Sequence, residues 1–143
     1  MPYVEVVSGS SYLLYAIAVA ALLIYLPFLV VGYARLSVGY DTSSPRAMLE
    51  KLPAFAQRAT WAHENAFEAF IQFSAAAFMA YITGQDSSLA MGAAIAHVVA
   101  RFLYPAFYIL DIPLLRSLMF GIGSIGTYTL FLLSLMSVTS LSP

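Results

Sequence analysis

The class of this chain is decided by residues 11–33, which read SYLLYAIAVAALLIYLPFLVVGY and contain no charged side chain. A bilayer core about 30 Å thick needs roughly 20 helical residues to cross it. This run is longer than a typical signal-sequence core and lacks a preceding basic segment, so we interpret it as a retained span. Pro27 should kink the helix, because proline cannot donate a helical hydrogen bond.

The composition of the whole chain agrees with a membrane protein. Of its 143 residues, 62% are hydrophobic and only 9% are charged, whereas charged residues make up about a quarter of a soluble domain. A chain this apolar cannot cover a surface that faces water, so lipid must be part of its solvent. The length predicts a single domain over residues 1–143.

Three further segments are long enough to cross the bilayer, at residues 59–82, 89–110 and 114–138. Lipid offers the backbone no hydrogen-bond partner, and the segments are too long for barrel strands, so helices are the default. The predicted fold class is therefore an all-α membrane protein, a bundle of four transmembrane helices.

Basic residues are concentrated in the first connection, residues 34–58. Cytoplasmic connections usually carry the excess of lysine and arginine. We therefore predict that the first and third connections are cytoplasmic, and that both termini and the second connection lie on the other side. The basic residues that decide this are Arg35, Arg46, Lys51 and Arg58 in the first connection, and Arg116 just after the third.

Several function classes are disfavoured. A net charge of −1 argues against a nucleic-acid partner, which would need a basic face. The absence of cysteine excludes disulfides, thiolate metal sites and a cysteine nucleophile. His63 and His97 are far apart in sequence, so there is no local histidine-rich metal motif, and no metal site is predicted.

Two stripes of polar residues lie inside the predicted second and third helices. At about 100° per residue, each set falls on one helix face. Arg101 is predicted to lie about 14 Å from the cytoplasmic end of its helix. An arginine at that depth needs a partner, and Glu68, at a similar depth, is the natural candidate. The stripes are Arg58, Trp61, Asn65, Glu68 and Gln72 on one helix, and His97, Arg101, Tyr104 and Tyr108 on the other.

These stripes resemble the MAPEG family, the membrane-associated proteins of eicosanoid and glutathione metabolism. The resemblance covers nearly the whole chain and rests on three local signatures, supported by Gly32-x-x-Arg35 at the end of the first span. The signatures are Arg58-x-x-x-Ala62-His63-x-Asn65-x-x-Glu68, then Ala100-Arg101-x-x-Tyr104-x-x-x-Tyr108, and Arg116-Ser117 at the start of the fourth span.

The resemblance implies a homotrimer that binds glutathione as a co-substrate between subunits, near the cytoplasmic face. It implies that Arg116 is catalytic, lying beside the sulfur, and that a lipophilic second substrate enters from the bilayer. A nearby guanidinium favours the thiolate, the form of a thiol that attacks. The residues implied for glutathione binding are Arg35, Arg58, Asn65, Glu68, Arg101, Tyr104, Tyr108 and Ser117.

Alternatives remain open at the level of sequence. Arg58 and Arg116 also fit membrane-boundary anchors, and Asn65, Glu68 and Arg101 also fit contacts between helices. Relatives that use glutathione typically have an arginine where this chain has Trp61. The main prediction is a glutathione transferase or peroxidase that acts on hydrophobic electrophiles or lipid peroxides. A non-catalytic lipid-binding scaffold is the alternative, and a small transporter is a third hypothesis.

Overall fold

The computed structural model describes residues 10–140 and is helical throughout that range, without strands. The predicted all-α class is therefore confirmed for these residues. A short 3-10 helix, Pro45–Lys51, lies in the connection between the second and third α-helices. The α-helices of the described range are α1 (Tyr12–Leu23), α2 (Leu26–Ser37), α3 (Ala54–Ile82), α4 (Ser88–Ile109) and α5 (Pro113–Ser140).

Three helical runs are long and apolar enough to cross a membrane: α1 together with α2, then α4, and then α5. The longest single helix is α3, with 29 residues, but it carries Arg58, Glu64 and Glu68 along its first half. Its role as a fourth crossing stays a prediction. The membrane sides predicted for the connections stay predictions too, and the two ends of the chain, residues 1–9 and 141–143, lie outside the described residues.

The predicted first span is not one helix but two, separated at Ile24 and Tyr25. Pro27 is the second residue of α2, where its missing N–H cannot bond to the carbonyl of Leu23. The predicted kink is thus confirmed as a break. His63 of α3 stabilises the break, because its Nδ1 lies 2.7 Å from the carbonyl oxygen of Ile24. The run also continues to Ser37, beyond the predicted end at residue 33.

The third helix begins five residues before the predicted start, at Ala54. Pro53 precedes it in an extended conformation and accepts the first backbone hydrogen bonds of the helix through its carbonyl oxygen. From there α3 runs through the centre of the bundle and packs against each of the other four α-helices. Because it is central, its polar residues are held against α4 and α5.

Two apolar clusters are separated by a polar layer. The larger cluster includes Leu13, Phe73 and Leu130, and the smaller includes Val31 and Leu52. Most other members of both clusters are alanines, which let helix backbones approach closely. Along α3 the smaller cluster ends at Ala59 and the larger begins at Phe73, so the first polar stripe, apart from Arg58, lies between them.

The turn between α4 and α5 is tight and positions the start of α5. Asp111 adopts a left-handed conformation (φ 60°), which short polar residues tolerate better than most. The backbone N–H of Ile112 reaches back to the carbonyl of Phe107 at 2.9 Å, as in a Schellman motif. Pro113 is the first residue of α5, where a missing N–H costs nothing.

Candidate functional site

The two predicted polar stripes meet between α3 and α4. Arg101 is buried, and its Nη2 donates a hydrogen bond of 2.9 Å to Oδ1 of Asn65. Asn65 in turn donates through Nδ2 to Oε2 of Glu68, at 3.4 Å. The expected direct partner of Arg101 was Glu68, and that prediction is wrong. Among the described residues no ion pair within 4.0 Å joins them, and Asn65 connects the two charges.

From this contact toward the start of α5, two tyrosine rings lie between two guanidinium groups along one wall. The guanidinium carbon of Arg101 lies 4.3 Å from the ring centroid of Tyr104. Tyr104 packs edge-to-face on Tyr108, with centroids 5.7 Å apart. The guanidinium carbon of Arg116 lies 4.6 Å from the Tyr108 centroid. Cation–π contacts of this length hold both guanidinium groups in fixed positions.

Two adjoining cavities follow this wall. The upper cavity, of about 250 Å³, lies between α3, α4 and α5, and Asn65, Glu68 and Arg101 line it. The lower cavity, of about 290 Å³, is lined by Tyr104, Tyr108, Arg116, Ser117 and Phe120. Phe120 lines both. Seven of the nine predicted site residues therefore line the two cavities.

The charges that line the cavities have both signs. The guanidinium groups are those of Arg101 in the upper cavity and Arg116 in the lower, and the carboxylate is that of Glu68. Guanidinium groups bind carboxylates and favour thiolates, whereas a carboxylate accepts from an ammonium group. The arrangement therefore suits a small zwitterionic ligand with more negative than positive charge.

The remaining two predicted site residues lie elsewhere in the single chain. Arg35 lines a separate groove of about 240 Å³ together with Gly32 and Tyr40, and its buried Nε has no hydrogen-bond partner among the described residues. Arg58 binds the end of α4: its Nε and Nη2 both donate to the carbonyl oxygen of Ile109, at 3.1 and 3.0 Å. Its Nη1 also lies 3.8 Å from the carboxylate of Asp111.

A family model settles the relationship of this chain. The model of the MAPEG family matches residues 12–136, nearly the whole of the described range. The chain belongs to the MAPEG family. No curated protein and no solved structure gives a significant match. MAPEG membership agrees with the apolar helices and the resemblance inferred from the sequence, and it places the chain among membrane proteins of glutathione or eicosanoid metabolism.

The MAPEG signatures did not include several residues that line the upper cavity. Gln72 belongs to the first predicted stripe but was given no role, and no residue of α5 beyond Ser117 was predicted to belong to the site. The polar residues of α5 are spaced from Arg116 by multiples of about four residues. This helical spacing places them on the same face of α5 as Arg116. The residues in question are Gln72, Ser124, Thr127 and Tyr128.

His97, a member of the second predicted stripe, packs between α4 and α5 with its Nδ1 satisfied. Its Nδ1 lies 3.0 Å from the carbonyl oxygen of Gly123 and 3.0 Å from the hydroxyl of Thr127. Its ring stacks on Phe73, with centroids 3.8 Å apart. These contacts fix α4 against α5 one helical turn before Arg101. They therefore also fix the position of the Arg101 guanidinium group along the cavity.

Replacing Arg58 by methionine tests its structural role in this MAPEG chain. The change removes two charge-assisted hydrogen bonds to Ile109, each worth about 1.5–3 kcal/mol when intact. We expect a melting temperature lower by several degrees, measured by circular dichroism in detergent. Arg46→Met is the matched control, since it removes a charge from the first connection. An unchanged melting temperature for Arg58→Met would show that the bonds to Ile109 contribute nothing.

Proposed function

We propose that this chain is a membrane-bound glutathione transferase or peroxidase, which activates the glutathione thiol for attack on hydrophobic electrophiles or lipid peroxides. One observation carries the proposal. Arg101, Tyr104, Tyr108 and Arg116 form a continuous row along two adjoining polar cavities, and Asn65 and Glu68 face them across the upper one. A soluble tripeptide with two carboxylates and one ammonium group matches that distribution of charge.

The chemistry needs little beyond a thiolate and a nearby electrophile. A free thiol has a pKa of about 8.5 and reacts mainly as its anion. A guanidinium group stays protonated and lowers the free energy of an adjacent anion. Arg116 lies in the first turns of α5, where the positive end of the helix dipole adds to this effect. Holding the electrophile beside that sulfur then converts a bimolecular step into one within the complex.

The proposed assembly is a homotrimer that completes the site between neighbouring subunits. In the single chain Glu68 and Gln72 are exposed on α3, although both lie well inside a helix that we propose as the fourth crossing. Exposing such groups to lipid is costly, so another copy of the chain should cover them. Arg35, whose Nε has no partner in the described part of the chain, is a guanidinium that a neighbouring copy can contribute.

The proposed orientation places the lower cavity at the cytoplasmic edge of the membrane. Four of the six basic residues lie between the last turn of α2 and the second turn of α3, and Arg116 lies in the first turn of α5. These two connections lie at the same end of the bundle, because Arg58 binds Ile109. Glutathione, a cytosolic thiol, then reaches the site from water, and lipophilic substrates reach it from between the helices.

A second candidate function is a lipid-binding scaffold without catalysis. An apolar groove of about 270 Å³ between α1 and α4, lined by residues such as Val19, Ile95 and Val99, would accept an acyl chain. This groove is separate from the polar cavities, as the residues that line it do not overlap with theirs. Under this alternative a co-purified lipid would not respond to glutathione, and no turnover would be seen.

Calorimetry of glutathione binding tests the proposed site. We expect the wild-type protein in detergent to bind glutathione and Glu68→Gln to bind it about tenfold more weakly, because a charged hydrogen bond is worth about 1.5–3 kcal/mol. Glu64→Gln is the matched control: it lies one helical turn earlier on α3 and lines neither cavity. Absence of binding by the wild type, or equal loss in both variants, would contradict the proposed site.

A further inference from the structure

The apolar groove between α1 and α4 lies apart from both polar cavities. It has a volume of about 270 Å³ and is lined by residues from 12–19 of α1 and 91–99 of α4. The lining residues recur at spacings of three and four, so each helix contributes one face. Each helix also places an alanine in the lining, Ala16 and Ala94, and these short side chains leave the groove open.

The dimensions of the groove fit an acyl chain better than a helix of another copy. At 1.5 Å per residue the groove is about 10–12 Å long, whereas the hydrocarbon of one leaflet is about 15 Å thick and a transmembrane helix crosses about 30 Å. An apolar cavity of about 150 Å³ accepts benzene, so this groove has room for about ten carbon atoms. It therefore suits part of one acyl chain within one leaflet.

The outer end of the groove lies at the first turns of α1 and α4, near the connection between α3 and α4. Tyr12 and Tyr15 line this end, and tyrosines are enriched at the level of the lipid headgroups. Asp86 lies in the connection, two residues before α4 begins, and its carboxylate is within electrostatic range of the Tyr12 hydroxyl. A headgroup above the groove would therefore lie beside Asp86.

The charge at this outer end selects the kind of headgroup. Asp86 is exposed and makes no ion pair within residues 10–140, and residues 10–34, 59–100 and 117–140 contain no lysine or arginine. A carboxylate accepts hydrogen bonds from an ammonium group. The first N–H groups of α4, directly after Asp86, have no acceptor within the helix and favour a phosphate. A headgroup with an ammonium group as well as a phosphate matches both features.

We propose that this groove is a binding site for a phospholipid with a primary amine in its headgroup, a phosphatidylethanolamine, whose ammonium group pairs with Asp86. The lipid belongs to the leaflet at the α3–α4 connection, opposite the end that carries Arg58 and Arg116. The inference holds whether or not the chain turns over glutathione. A choline headgroup has the same net charge but no N–H to donate, and a glycerol headgroup leaves the phosphate charge without a cation.

Competition between lipids tests the headgroup assignment. The full chain in detergent is mixed with equal amounts of phosphatidylethanolamine, phosphatidylcholine and phosphatidylglycerol that carry the same acyl chains, and the retained lipid is counted by native mass spectrometry. We expect the ethanolamine lipid to be retained about fivefold more than the other two. Asp86→Asn should remove this preference, and Asp86→Lys should shift it to the glycerol lipid. Glu50→Gln, in the 3-10 helix at the opposite end of the bundle, is the control.

Filling the groove tests where the acyl chain lies. Ala16→Leu should lower retention of the ethanolamine lipid about tenfold and abolish the rise in melting temperature that this lipid gives the wild type by binding the folded state. Ala18→Leu is the matched control, because Ala18 is exposed on the same helix and does not line the groove. Ile95→Trp, at a lining position that is 55% exposed, is a second blocking variant in case Ala16→Leu does not fold.

Several outcomes would overturn the inference. Equal retention of all three lipids by the wild type means that Asp86 does not select the headgroup. Equal effects of Ala16→Leu and Ala18→Leu place the lipid elsewhere on the chain. A lower oligomer mass in the blocking variants, with lipid retention unchanged, means that a neighbouring copy covers the groove. No glutathione is present in these measurements, so their failure leaves the proposed transferase standing, and failure of the transferase leaves the lipid site standing.

Discussion

Arg116→Ala is expected to lower kcat for glutathione conjugation about a hundredfold or more while changing the affinity for glutathione much less. Removing one preorganised donor to a developing or stabilised anion typically costs that much. Arg116 lines the lower cavity with Ser117 and Phe120, and its guanidinium is held 4.6 Å from the ring of Tyr108. It is the cation in that cavity, so the thiolate has no substitute for it there.

The thiolate can be measured directly. Its ultraviolet absorption, followed against pH in the glutathione complex, should show a thiol pKa below the solution value in the wild type. In Arg116→Ala the thiol pKa should return toward about 8.5, the usual value for a thiol. Arg116→Lys should restore part of the effect, because lysine keeps the charge and loses the planar contact with Tyr108.

Arg46→Ala is the matched control for this prediction. It removes the same charge from the same proposed face of the membrane, but Arg46 lies in the 3-10 helix and lines neither cavity. If Arg46→Ala and Arg116→Ala reduce turnover equally, a general surface potential explains the effect rather than a contact with sulfur. If glutathione affinity falls and kcat does not, Arg116 is a binding residue and the catalytic assignment fails.

The polar layer shows how far spacing along the chain could predict the site. Helical periodicity placed Asn65 and Glu68 on one face and Arg101 and Tyr104 on another, and antiparallel helices bring such faces to the same depth. The prediction chose the wrong partner for Arg101, because Asn65 and Glu68 differ by only one turn. Choosing between them requires the axial offset of the helices, which the packing of small residues elsewhere sets.

Arg58 and Arg35 are the other two residues whose observed positions in the single chain differ from the predicted site. Arg58 shares the face of Asn65, so periodicity assigned it to the ligand, but the end of α4 leaves the carbonyl of Ile109 unpaired and Arg58 binds it. Which carbonyl a helix end exposes depends on the turn that follows. Arg35 was grouped with the site by family resemblance, and within one chain it lies in a separate groove. A contribution from a neighbouring copy is a property that one chain cannot display.

The close approach of α4 and α5 at Gly126 predicts a large loss of stability when this glycine is replaced. A Cβ added to Gly126 would lie 2.5 Å from the carbonyl oxygen of Ala93 and 3.3 Å from the backbone nitrogen of His97. Both atoms belong to the backbone of α4, so no side chain can rotate away. Gly126→Ala must push the two helices apart, and overpacking of this kind costs about 1–3 kcal/mol.

The direction of the change in melting temperature distinguishes Gly126 from a glycine that has open space around it. In an exposed helix, alanine is more favourable than glycine by about 1 kcal/mol. Gly121→Ala, on the same helix with nothing within 4 Å of the added Cβ, should therefore leave the melting temperature in detergent unchanged or raise it. Gly126→Ala should lower the melting temperature and weaken glutathione binding, because separation of the helices breaks the contacts of His97 with Gly123 and Thr127 that fix the height of Arg101. Ala93→Gly should not rescue it, since the clash is with the carbonyl oxygen of Ala93 and not with its methyl group. A Gly126→Ala protein as stable as Gly121→Ala would show that α4 and α5 are further apart than the structure places them.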